Sequence, residues 1–276
     1  MNSSDPTVAP TTFAQATTVT QSAPGRFDAT IHPGWAIAGR THGGFLIALA
    51  ARSALAVSPH PQVVSANATF LFAPQSGPVT VEVELLRAGG SLSQLRARVL
   101  QKGQICLDAA FITGVIDSGT RPYWSSATLP SPGTAAIAEC VRVPSVNPFG
   151  PPGPLWEKVD VRLEPQTSGY TDGQAGGAGE IRGVLSLPAG EPFDSVSLLF
   201  ALDALPPATV DVERSHWVPT LTLTVYIRAL PGPGPIRLTQ SAGVIENRRV
   251  DEVCYAWDTA GHLVAQSTQL AGIRLG

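Results

Sequence analysis

Residues 194–210 read DSVSLLFALDALPPATV, and the way this stretch folds decides the rest of the chain. From 196 to 205 nearly every side chain is apolar, the pattern of a helix covered on most of its sides. The one charge inside that run is Asp203. An ionised carboxylate among apolar neighbours costs several kcal/mol unless it is paired or hydrogen-bonded. Taken alone, Asp203 reads in two ways. It satisfies backbone groups where the helix ends ahead of ALPP, or it is held there for chemistry.

A second apolar helix, GFLIALAARSALAV, lies at 44–57 directly after THGG, and the elements around the two helices follow one order. Ahead of the first comes RFDATIHPGWAIAG. Behind it come the alternating runs VVSANATFLFAP, GPVTVEVELLRAGG, LSQLRARVLQKG and QICLDAAFITGVI. Ahead of the second lie LWEKVDVRLEP and GEIRGVLSLP; behind it lie VPTLTLTVYIRALP, GPIRLTQSAGVIEN, RVDEVCYAWDTAG and HLVAQSTQLAGIRL. The copies align locally, TFLFAP from Thr69 with TVYIRALP from Thr224, and GQICLDAAFITG from Gly103 with GHLVAQSTQLAG from Gly261. Each copy predicts one apolar helix wrapped by a curved sheet of about four antiparallel strands, with a strand or two ahead of it. That is a hot-dog unit. Two of them make an α+β double hot-dog whose halves pair as the protomers of a dimer would. The expected boundaries are a disordered Ser/Thr/Pro-rich tail over 1–24, an N-terminal hot-dog over 25–116, a Gly/Pro-rich linker over 117–154 and a C-terminal hot-dog over 155–276.

Composition narrows the function classes. Charged residues make up 14% of the 276 positions and the net charge is −3, with no basic stripe of the kind nucleic acid requires. No run reaches the roughly 18 apolar residues of a membrane span, and the first residues lack the basic and apolar regions of a secretion signal. Cys106, Cys140 and Cys254 are widely spaced and form no CxxC, which predicts reduced thiols in a cytoplasmic protein and no metal site. G-x-S-x-G, P-loop and dinucleotide fingerprints are absent.

With two aligned copies, one half serves as a control for the other. Gln269 falls where the first copy has Phe111, and Thr220 where it has Ser65. The first helix carries Arg52 but no acid to match Asp203. An acid, a hydroxyl and an amide therefore occur together in the second copy alone. Those three groups suit the holding of a water molecule, with Asp203 as general base. Each also has a plainer reading. Thr220 is one of three alternating threonines with Thr222 and Thr224, and a glutamine on a strand is commonly a surface residue. The turn holding Gly43 and Gly44 opens the first helix, where unpaired N–H groups favour an oxyanion. The same glycines also permit close approach of helix to sheet.

The sequence resembles the acyl-CoA thioesterase II family from about residue 34 to 274. THGGFLIALA is similar to the family's Gly-Gly turn and first central helix. FLFAPQSGPVTVEVELLRAGGSLSQLRARVLQKGQ is similar to its proline turn and Arg-x-Gly-x-Ser turn between strands. In the second half FALDALPP, VPTLTLTVYI and LVAQSTQLAGIR match the places of the family's catalytic Asp, Thr and Gln. The resemblance implies a double hot-dog fold and hydrolysis of acyl-CoA without a cofactor. It also implies a water held by Asp203, Thr220 and Gln269, and a homodimer or higher homo-oligomer serving lipid metabolism. The chain departs from the family at Thr222 and Leu223, where an acid and a further polar residue are common, and in the linker. Two other classes stay open on the same fold. One is a non-catalytic acyl-CoA binder. The other is a hydratase or dehydratase, although His32, His42, His60, His216 and His262 show no Asp-x-x-x-x-His spacing on a helix. Arg87, Arg96, Arg98, Arg228, Arg248 and Arg249 are available to CoA phosphates.

Overall fold

Apolar helices need cover, and this chain supplies it with a single curved sheet. The computed structural model describes residues 11–117, 122–126, 128–146, 153–213 and 218–273; His216 lies outside them. The first half runs α1 (Phe13–Ala16), β1 (Thr20–Ala23), β2 (Arg26–Ile31), β3 (Ala36–Ile37), β4 (Arg40–Thr41) and α2 (Gly43–Val57). It continues with β5 (Gln62–Phe70), β6 (Gly77–Ala88), β7 (Leu92–Gln101) and β8 (Gln104–Gly114). The second half runs β9 (Val141–Arg142), α3 (Leu155–Lys158), β10 (Asp160–Leu163), α4 (Gly169–Asp172), β11 (Glu180–Ser186) and α5 (Ser195–Ala201). It ends with β12 (Thr220–Ile227), β13 (Ile236–Glu246), β14 (Arg249–Trp257) and β15 (Leu263–Gly272).

Thirteen strands form one antiparallel sheet in the order β1-β2-β6-β7-β8-β5-β12-β15-β14-β13-β11-β10-β9. The two halves meet where β5 pairs with β12, Thr222 opposite Thr69 and Tyr226 opposite Ser65. On the concave side α2 and α5 pack against each other and against the sheet. Ten residues of α2 and all seven of α5 are buried, as expected for helices with no polar face. The α+β double hot-dog is therefore the fold.

Three local readings need correction. Residues 11–24 are not a disordered tail, and residues 1–10 lie outside the described ones: α1 is capped by the Thr12 side chain, and Glu191 accepts from the Phe13 and Ala14 N–H groups at 2.7 and 3.0 Å. Phe13, fully buried, packs at a tilt against Phe200 of α5 and edge-on against Phe45 of α2 and Trp35. One aromatic in a Ser/Thr-rich stretch thus anchors the segment, because it closes the gap between the central helices. The linker is not wholly irregular either, since β9 pairs with β10 at the sheet edge. Finally, α5 stops at Ala201. Asp203 stands two residues beyond it in a tight turn, where its N–H donates to the Phe200 carbonyl at 3.1 Å.

Candidate active site

The turn after α5 points its one acid at the start of α2. Gly44 N–H donates to Asp203 Oδ2 at 2.6 Å, and His42 Nε2 donates to the Asp203 carbonyl oxygen at 2.8 Å. His42, the residue preceding α2, has no side-chain cap of its own to offer. The Asp203 carboxylate from the other half fills that role at a helix end where negative charge is favoured. The close fit requires glycine at both positions. A Cβ on Gly43 would meet Asp203 Oδ2 at 2.9 Å, and one on Gly44 would meet the Phe200 carbonyl oxygen at 2.9 Å.

Thr220 reaches the same place through a β-bulge. The pairing of β12 with β15 slips between Thr220 and Thr222. A bulge moves a residue to the other face of its strand, so Thr220 leaves the outer row of Thr222 and Thr224 and joins Leu223 and Val225 on the inner face. Its hydroxyl donates to Gln269 Oε1 at 3.1 Å. β5 carries the matching bulge between Val63 and Ser65. The counterpart of Thr220 is therefore Val63 and not Ser65. Aligning the two copies on Pro74 and Pro231, an offset of 157, gives this register, whereas aligning on Thr69 and Thr224 misses it by two.

Gln269 is in place as the copy comparison implies: it pairs with Glu252 across β14 and β15 as Phe111 pairs with Leu95 across β7 and β8. Its Nε2 donates to Glu252 Oε2, which also accepts from Gln240 Nε2 at 3.0 Å. Glu252 Oε1 accepts from the Thr209 N–H at 3.3 Å, and the Ala208 N–H also stabilises the carboxylate. The sequence reading passed over Glu252 and Gln240. A usable signal was there. In RVDEVCYAW, Val250, Glu252, Cys254 and Ala256 share one strand face, so the glutamate had to point into the core.

Electrostatics favour bases that hold their protons more tightly than usual. Burial pushes the Asp203 carboxyl above the ordinary carboxylate range, while His42 and the Gly44 N–H pull it down. Burial likewise raises Glu252 against the pull of its amide donors, and raises the Cys254 thiol between these acids. Asp203, Thr220 and Gln269 border a cavity of about 290 Å³ with Gln240, Gly43, Thr41 and His42, and the rest of its walls are largely apolar, including Leu46, Phe70, Trp156, Tyr170, Leu205 and Val210. Among the described residues, Arg40 is the one arginine lining it. Of the arginines named from sequence, Arg96 and Arg98 are paired with Asp108 and Arg228 donates to Gln266. Gly44 spends its N–H on Asp203, whereas Gly43 borders the cavity. Among the described residues, the buried His42 Nδ1 finds no hydrogen-bond partner. Among the described residues no helix is long and apolar enough to cross a membrane.

Comparison with known proteins adds a second line of evidence. Residues 31–114 match the sequence model of the acyl-CoA thioesterase N-terminal domain, and residues 137–273 match that of the acyl-CoA thioesterase C-terminal domain. A solved structure from Thermobifida fusca, assigned provisionally as a thioesterase II, superimposes with a TM-score of 0.86 at 29% identity, covering 96% of this chain and 99% of its own. A hot-dog protein of unknown function from Alicyclobacillus acidocaldarius superimposes at 0.80 with 21% identity, covering 96% and 98%. An uncharacterized protein of Mycobacterium tuberculosis is 29% identical over 269 residues, spanning 89% of this chain and 90% of its own.

Proposed function

The chain belongs to the acyl-CoA thioesterase family, and on that premise we propose that it hydrolyses an acyl-CoA to the free acid and CoA with Asp203 as general base. The observation carrying this reading is the meeting of Asp203, Thr220 and Gln269, drawn from three separate elements, at the edge of an apolar cavity. A water between Asp203 and Thr220 gives a proton to the Asp203 carboxylate as its oxygen attacks the thioester carbon. The carbonyl electrons move onto oxygen, and the N–H of Gly43 at the start of α2 receives that oxyanion. Collapse of the tetrahedral intermediate breaks the carbon–sulfur bond, and the proton on Asp203 passes to the departing thiolate. The apolar walls hold the acyl chain, and Arg40 at the cavity lies where a CoA phosphate can meet a cation.

A lyase reading has one observation behind it, the His42 Nε2 to Asp203 Oδ2 approach of 3.5 Å. That nitrogen, however, is already donating to the Asp203 carbonyl, which ties the ring to the turn and away from a proton-transfer role on carbon.

The deciding experiment is thiol release from acyl-CoAs of increasing chain length by wild type and Asp203→Asn. The expected outcome is turnover by wild type and a loss of about 10²- to 10⁴-fold in kcat for the variant, with folding intact. Turnover that survives the substitution would move the base elsewhere. Tight acyl-CoA binding without release would identify a binder.

A further inference from the structure

The two copies differ at a buried layer as well as at the site itself. On the inner face of β13, β14 and β15 the second copy places Gln240, Glu252 and Gln269. The strand register puts Val83, Leu95 and Phe111 in the same places in the first copy. The apolar version of this layer therefore folds in this very chain. Glu252 is 1% exposed, and a buried carboxylate is a poor way to stabilise a core that Leu can fill. Its retention calls for another explanation.

Its neighbours supply one. Donors approach Glu252 from both sides, the Thr209 N–H at Oε1 and two amide nitrogens at Oε2. An ionised carboxylate accepts and cannot donate, so it compels Gln269 to present Nε2 inward and Oε1 toward Thr220. Thr220 must then spend its only proton on that oxygen. What remains facing the cavity from Thr220 is a lone pair, beside the Asp203 carboxylate. A water placed between two acceptors donates both of its hydrogens and keeps a lone pair for the thioester carbon.

We propose that Glu252 is the positioning residue of this site, fixing the direction of the Gln269–Thr220 hydrogen bonds so that the water is oriented as a nucleophile. The inference rests on the thioesterase reading above. Glu252 touches neither water nor substrate; it acts through the amide of Gln269.

Glu252→Gln tests it with almost no change of shape. The Thr209 N–H holds the new amide oxygen, so its NH2 group faces the amides of Gln240 and Gln269, both of which must flip. The flipped Gln269 Nε2 then donates to Thr220, whose proton turns toward Asp203 and competes with the water. The expected result in the thiol-release assay is a kcat lower by roughly 10²- to 10⁴-fold with KM and thermal unfolding close to wild type. The double exchange E252Q/Q269E places the carboxylate next to Thr220 and the amide behind it, so the Thr220 proton is again drawn away. It should recover at least about tenfold of the lost kcat, with its acid limb at higher pH because a second carboxylate now faces Asp203. Unchanged kcat in E252Q overturns the proposal. So does a loss of kcat that travels with KM and folding and is not recovered by the double exchange, the behaviour of a carboxylate needed only for structure. Absence of turnover in the wild type sinks the thioesterase reading itself, and this inference with it. Wild-type turnover with an unaffected E252Q sinks this inference alone.

Discussion

Asp203 holds two positions at once: its carboxylate closes the N-terminus of a helix from the other half and borders the cavity. Burial raises its pKa, so its folded-state value lies above the unfolded one. A general base works only when deprotonated, so kcat should climb as pH rises through that raised value and fall away on the acid side. Thr220 gives its one proton to Gln269 and not to Asp203, so Thr220→Val should lower kcat while the acid limb of the kcat profile stays where it is. A limb that moved to higher pH would mean that the hydroxyl donates to Asp203 and leaves no lone pair for the water. The sequence pointed to Asp203 and Thr220 as holders of a water but not to the geometry that brings them together. Asp203 was conspicuous because it broke an apolar run. Thr220 looked like one more outward threonine, because the bulge that turns it inward leaves no mark in a strand of alternating Thr and Leu. Glu252 was masked by neighbours: Asp251 and the arginines around it make the segment read as a charged, solvated strand.

At the scale of elements, the start of α2 is a tight joint between the two halves. A Cβ on Gly44 would sit 2.9 Å from the Phe200 carbonyl oxygen and 3.0 Å from its Cα, both backbone atoms that cannot swing aside. Replacing glycine by alanine gains up to about 1 kcal/mol of helix propensity, and less at the first turn. Overpacking of this kind costs about 1–3 kcal/mol, so the clash wins. Gly44→Ala should lower the stability measured by urea unfolding by about that amount, and a variant as stable as wild type would mean the two helices are less closely held than described. The element pattern itself was legible because both helices lack a polar face and the strands alternate cleanly. Lengths were not. The second helix seemed to run through Leu205 because apolar residues continue past its end, into a turn and prolines that are buried for the sake of the cavity. The N-terminal segment was misjudged for the opposite reason. Its composition is that of a tail, and only the fit of Phe13 among Trp35, Phe45 and Phe200 orders it.

At the scale of the whole molecule, the repeat foretold two units, but their seam makes them one. The β5–β12 ladder is continuous with the rest of the sheet, α2 packs on α5, and one core cluster runs through residues of both halves. The proposed site depends on that continuity, because Asp203 comes from the second half and the Gly44 N–H that holds its carboxylate comes from the first. Neither half alone would cover its helix or its open strand edge. Denaturant unfolding should therefore be a single transition, with tryptophan fluorescence and far-UV circular dichroism coinciding. Ala68 lies fully buried on the seam, paired with Leu223, and offers a sharper test. Ala68→Leu forces extra volume into the joint and should cost about 1–3 kcal/mol. If the halves are one cooperative unit, the midpoint falls for both probes together and the curve keeps its single step. If they are two domains that merely touch, the substitution splits the curve, with one half unfolding before the other. In that case the alignment of Asp203 with Gly44 would have to be formed on substrate binding and not by the fold.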